Sequence, residues 1–167
     1  MNKTEQKWLS VYVENEAGVL AKVSGLFSGK LYNLNSLTVG ETETVDTSRM
    51  TISLYSDDRT FEQIKHQLSN MVEVIQVIDY SNISIHAKEV MYVKLKYNKE
   101  MDQLLVNLKE RLVFEVIDQT ENELLIESIN CEKKNNELVD SLRQSVVIEE
   151  MEVIRGGSVA ISSLSKE

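Results

Sequence analysis

The chain has no proline and a single cysteine, Cys131, among 167 residues. One cysteine excludes an intramolecular disulfide and fits a reducing compartment, so a cytoplasmic location is expected. Without proline, turns fall to Gly, Asn, Asp and Ser, and no proline-rich linker separates domains. Positive charge is scarce: 18 Lys and Arg stand against 27 Asp and Glu, for a net charge of −9. The pair Lys133-Lys134 is the nearest approach to a basic run. Nucleic-acid backbones and anionic membranes reward clustered cations, so neither is expected as a partner. Long apolar runs are absent too. None approaches the roughly 20 residues needed to cross a bilayer, and "MNKTEQKWLS" carries no apolar segment of a secretory signal.

Motifs of chemistry are equally sparse. The sequence holds no GxGxxG after a strand, no P-loop, no HExxH and no GxSxG elbow. His66 and His86 have neither a second histidine nor a cysteine at metal-ligand spacing, so no metal is expected. His66 reads as a solvated helix residue and His86 as linker. Cys131 reads as a small buried residue in a strand. No catalytic residue is nominated.

What is there is periodicity. "KWLSVYVE" alternates, with Leu9, Val11 and Val13 on one face, as a strand with one side buried does. After "NEAG" comes a helix with Val19, Leu20, Val23, Leu26 and Phe27 on one stripe and Gly29 as its stop. "LNSLTVG" and "SRMTISLY" are two further strands, joined by the polar loop "ETETVDT". "DDRTFEQIKHQLSNM" is a second helix, with acids in its first turn to suit the dipole and Phe61, Ile64, Leu68 and Met71 inward. "VEVIQVID" is a fourth strand. The order β-α-β-β-α-β is ferredoxin-like.

The pattern then returns. "KEVMYVKLKY" is a strand and "MDQLLVNLKERL" a helix. "VFEVIDQT" and "ELLIESIN" are paired strands, "KKNNELVDSLRQS" a helix and "VVIEEMEVI" a strand. "RGG" reads as a turn into an added short strand, "SVAIS". The fold class is therefore α+β, two tandem ferredoxin-like β-α-β-β-α-β domains, 1–80 and 81–167, divided within the aperiodic stretch Asp79 to Ala87. Two domains of this size each bury a smaller fraction of their surface than one larger domain would, and pairing sheet edges between copies would hide exposed edges. A homodimer is expected.

The ends of the first helix are the strongest local feature. A helix N-terminus carries unpaired N–H groups and partial positive charge, which suit a carboxylate. Gly18 would let a ligand approach the backbone closely. Asn15 is either a turn residue or an amide that holds a ligand, and Asn33 either a helix-exit residue or a ligand contact.

In order and spacing, "NEAGVL", "GLFS", "YNLNSLTVG" and "SRMTI" resemble the ACT domain of acetolactate synthase small regulatory subunits. The likeness is close from Leu9 to Val77. It continues more loosely through "VIDQTENELLIE" and "EVIRGGSVAIS", which looks like the family's closing Arg-x-Gly-x-Val-Ala segment. The chain departs from the family pattern at Lys30-Leu31, where Arg-Gly is usual. It also lacks the proline before Ser-Arg-Met, and has Ser163-Leu164 in place of a closing Arg-Gly.

The resemblance implies a regulatory chain with no active site. Its partner would be a catalytic large subunit, which alone would hold thiamine diphosphate, Mg and FAD, and which condenses pyruvate to acetolactate in branched-chain amino acid synthesis. The effector would be valine, with leucine or isoleucine also able to act. It would sit against backbone groups of Asn15, Gly18, Val19 and Leu20 of one protomer and be closed by Asn33 and Leu34 of the other. The loop Glu41 to Arg49 is a candidate surface for the large subunit, with Arg49 either part of it or simply flanking a strand.

Overall fold

The computed structural model describes residues 4–145, 148 and 150–164. Its element order is β1 (Glu5–Glu14), α1 (Val19–Gly29), β2 (Leu34–Glu41), β3 (Thr47–Ser56), α2 (Asp58–Ser69), β4 (Val74–Asp79), then β5 (Ile85–Lys96), α3 (Met101–Lys109), β6 (Glu115–Gln119), β7 (Glu123–Asn130), α4 (Glu132–Arg143) and β8 (Met151–Ser162). The strand orders are β2-β3-β1-β4 and β6-β7-β5-β8. Each half is thus a ferredoxin-like sheet with two helices, as the periodicity predicts.

In the first sheet β1 and β3 pair antiparallel in the centre, Leu9 opposite Ile52 and Val11 opposite Met50. These residues, with Val13 and Leu54, face Val19, Val23 and Phe27 of α1 and Phe61, Ile64 and Leu68 of α2 in one buried cluster. The second unit repeats the plan with Met91, Val93 and Leu95 of β5 against Leu105 and Leu108 of α3 and Leu138 and Leu142 of α4. α2 is well capped. Asp57 accepts from the Thr60 N–H at 3.1 Å and the Thr60 hydroxyl at 2.8 Å, and these bonds hold its carboxyl below the usual range.

Several expectations are corrected. Cys131 is not buried in a strand: it is exposed, at the N-cap of α4. His86 lies within β5, not in a linker. Leu20 belongs to the apolar stripe by spacing but turns outward. "RGG" is not a turn between two strands. β8 runs unbroken from Met151 to Ser162, with Gly157 at φ 77° inside it. Of the expected strand from Val146, residues 146, 147 and 149 lie outside the described residues.

The closing motif has a physical explanation within each unit. The break falls between His86 and Ala87, and the residues from Ser158 onward belong with the first unit. The sequence-based division at 80/81 had placed them all in the second. Arg155 pairs with Glu89 at 2.9 Å. A Cβ at Gly156 would come within 3.3 Å of the Val90 carbonyl oxygen. Beyond Gly157 the strand binds β2, where the Ser158 N–H donates to Ser36 Oγ at 2.8 Å. This return also explains why Ser10, Thr51 and Ser53 are buried, although they lie on the side of β1 and β3 away from the helices, where one-sided burial was expected.

The exit of α1 carries strain. The Leu31 N–H donates to the Ser28 carbonyl and the Tyr32 N–H to the Phe27 carbonyl, at 3.2 and 3.0 Å. Phe27 and Tyr32 meet edge to face with ring centroids 6.5 Å apart. This is a Schellman stop, whose left-handed residue is usually glycine. Here it is Leu31, at φ 58° and 91% exposed, at the position where the resembled family carries glycine. Leu31→Gly loses no buried surface and relieves a left-handed Cβ. We expect it to stabilise the chain by about 0.5–1 kcal/mol, the relief of about 1–2 kcal/mol less the entropy glycine adds to the unfolded chain. A higher urea midpoint checks this.

Candidate functional site

The turn from β1 into α1 is held by side-chain and backbone bonds to the β2–β3 loop. The Asn15 N–H donates to the Asp46 carbonyl at 2.9 Å. Asn15 Nδ2 donates to the Val45 carbonyl at 3.0 Å, and Asn15 Oδ1 accepts from Ser48 Oγ at 2.8 Å. Of the two readings of Asn15, the structure favours the turn residue, because its amide is engaged at one end by Val45 of this loop and at the other by Ser48 of β3. Ser48, Val45 and Asp46 thus belong to the site's scaffold. The sequence places them in the candidate surface Glu41 to Arg49 and not beside Asn15, because the separations of 30 and 33 residues carry no local signal. The quoted "SRMTI" was the one signal that pointed there.

Gly18 is the N-cap of α1, at φ 89° and ψ −11°, and no side chain caps the helix. A Cβ at Gly18 would meet nothing within 4 Å. It is the backbone conformation, not crowding, that calls for glycine here. Intrahelical bonding begins with the Lys22 N–H donating to the Gly18 carbonyl at 3.0 Å. The N–H groups of Leu20 and Ala21 therefore have no acceptor within the helix, and no acidic side chain lies in the first turn. Val19 is buried and Leu20 exposed, so Val19 offers only its backbone while Leu20 offers both backbone and side chain. One turn on, the Lys22 ammonium pairs with Glu73. Its hydrogen bond holds the Glu73 carboxyl below its ordinary range and the lysine above its own. The entrance is thus an open, uncapped helix N-terminus, whose backbone N–H groups suit a carboxylate, with Lys22 close to Glu14 and Glu16 as well as to Glu73.

Asn33 and Leu34 lie past the other end. Asn33 is exposed, and Leu34 packs against the core and pairs with Leu54. α1 has 11 residues, about 16 Å at 1.5 Å per residue. One chain therefore brings Asn15, Gly18, Val19 and Leu20 together but holds Asn33 and Leu34 apart from them. An amino acid cannot span that distance.

Arg49 is committed as well. Its Nε donates to Ser10 Oγ at 2.6 Å, and its Nη2 to the Tyr80 hydroxyl at 2.8 Å and to the Ala160 carbonyl. Its guanidinium stands 5.5 Å from the Tyr12 ring centroid. It lies within β3 and is partly buried. Among the described residues no group of three or more His, Cys, Asp or Glu is placed to hold a metal ion, and no helix is long and apolar enough to cross a membrane.

Comparison with known proteins agrees along the chain. The model of the AHAS small subunit-like ACT domain matches residues 9–76, and that of the small subunit of acetolactate synthase matches residues 88–164. A probable acetolactate synthase small subunit of Archaeoglobus fulgidus is 35% identical, covering 92% of this chain and 94% of the relative. The isozyme 3 small subunit of Salmonella typhimurium is 34% identical over 92% and 93%. The crystal structure of the Thermotoga maritima small subunit superposes with a TM-score of 0.83 at 30% identity, covering 97% and 99%. With two family models end to end and relatives matched over almost their whole length, the chain belongs to the family of acetolactate synthase small subunits.

Proposed function

We propose that this chain is the regulatory partner of a thiamine-diphosphate-dependent acetolactate synthase large subunit, raising its activity and making it sensitive to valine. The observation that carries the effector site is the uncapped entrance of α1, open at Gly18, where the Leu20 and Ala21 N–H groups have no acceptor within the helix. The valine carboxylate binds there against the backbone from Asn15 to Leu20. Because the helix length separates Asn33 and Leu34 from this point, the site is completed by a second copy. Pairing along the β2 edge, where β2 ends its sheet, brings the two ends of neighbouring α1 helices within reach of one ligand. The Asn33 amide of the second copy then bonds the effector. An apolar pocket for the side chain separates valine from leucine or isoleucine by only about 1–3 kcal/mol, so these also act. The chain supplies regulation, and the chemistry and cofactors stay with the large subunit.

The test combines this chain with the large subunit from the same cell and follows acetolactate formation while valine is titrated. Activation followed by inhibition is expected. Activation without inhibition would sink the effector site and keep the subunit role. No activation by a folded chain would leave an amino-acid sensor that works without this enzyme.

A further inference from the structure

The face of the first sheet that lies away from its helices is met by residues 158–163. Ser10, Thr51 and Ser53 are 0, 4 and 0% exposed there. The Ser158 N–H is held by Ser36 Oγ at 2.8 Å, and Thr38 Oγ1 donates to the Ser158 carbonyl at 3.0 Å. Arg49 reaches the Ala160 carbonyl from the same face. The Ser163 N–H donates to the Ser84 carbonyl at 2.8 Å. Arg49 is also the chain neighbour of Ser48, whose hydroxyl holds the Asn15 amide at the entrance of α1. A continuous set of bonds therefore runs from the α1 entrance through Asn15, Ser48 and Arg49 to the last residues of β8.

We propose that this set is the route by which occupation of the α1 entrance is communicated, with Arg49 as a positioning residue that ties the end of β8 to the effector turn. The two states are the segment Ser158 to Ser163 docked and the same segment released, and the effector shifts the balance by preferring one. A guanidinium suits the task. It stays charged at any physiological pH and donates in a fixed planar fork, so it passes on a displacement of β3 instead of absorbing it. The effector part of the proposal rests on the regulatory reading above; the mechanical link does not.

The test has two arms on the full chain. In the first, without effector, hydrogen exchange is compared in wild type and Asn15→Ala. Releasing the loop is expected to speed exchange of the amides of 42–48 and also of 158–163, each by about fivefold or more, as local opening becomes easier. Faster exchange in the loop with 158–163 unchanged would overturn the link. In the second, valine is titrated against wild type and Arg49→Lys, both for binding and for inhibition of the reconstituted enzyme. Arg49→Lys is expected to bind valine within about twofold of wild type yet lose about fivefold or more of the inhibition, the low end of ordinary coupling. Full inhibition in Arg49→Lys would overturn the proposal. Should that variant not fold, Ser36→Ala removes the Ser158 anchor from the other side and is read the same way. A wild type indifferent to valine would overturn the regulatory reading, and the exchange arm would still decide the link.

Discussion

Arg155→Met is expected to destabilise the second unit by about 1.5–3 kcal/mol, the range for a hydrogen bond to a charged group, because Glu89 is buried while the arginine side chain is 34% exposed. Glu89 is 5% exposed, and its carboxylate accepts from Arg155 at 2.9 Å and from Asn135 Nδ2 at 3.0 Å. Asn135 is fully buried on α4, and its other end accepts from Ser128 Oγ at 2.8 Å. Every member is satisfied, so removing the one cation leaves the anion dehydrated. Against a typical total of about 5–15 kcal/mol, such a loss is large. Glu89→Gln combined with Arg155→Met should recover most of it, because the amide oxygen still accepts from Asn135 and no charge remains. The molecule offers a convenient readout. Its one tryptophan, Trp8, lies in the first unit, so in Arg155→Met the urea transition seen by circular dichroism should begin before that seen by Trp8 fluorescence. Coincident transitions with an unchanged midpoint would mean that the pair contributes little.

Gly18→Asp is expected to abolish valine sensitivity, with inhibition lost across at least a hundredfold range of valine. At φ 89° an L-residue is strained, by about 1–2 kcal/mol, although Asp and Asn tolerate this region best. The side chain itself meets open space, so the fold should survive. What changes is the charge. The new carboxylate would sit at the positive end of α1, near the Leu20 and Ala21 N–H groups, where the effector carboxylate binds in the proposed site. Gly18→Asn carries the same backbone strain without the charge and should keep part of the response. Equal loss in both variants would point to strain, not competition. Full valine sensitivity in Gly18→Asp would place the site elsewhere.

The elements were legible because local spacing encodes them. The alternation of Leu9, Val11 and Val13, and the spacing of Phe61, Ile64 and Leu68, each follow from one residue's distance to the next. The α1 entrance was legible for the same reason, since Gly18 and the uncapped turn are local features. What escaped were long-range pairings. Ser158 and Ser36 are separated by 122 positions, and Arg49 and Ala160 by 111. Nothing within a window of ten residues distinguishes a Gly-Gly that turns from one that lets a strand bend and continue past Val90. Likewise Asn15 and Arg49 each read equally as a structural residue or as a contact with another molecule, and only the fold supplies their Ser48 and Ala160 partners. Polar residues beside a helix or strand signal some partner, and periodicity cannot tell whether that partner is another molecule or a distant part of the same chain.

The return of residues 158–162 to the first sheet has a consequence for biosynthesis. Residues up to His86 of the first unit are made before Ala87–Gly157, and the segment that returns to that unit is made after it. At about 5–20 residues per second, the intervening stretch from Ala87 to Gly157 takes on the order of 4–14 s to translate. During that time Ser10, Thr51 and Ser53 stay hydrated and Arg49 lacks its Ala160 acceptor. The first unit is therefore completed only after the second has been made.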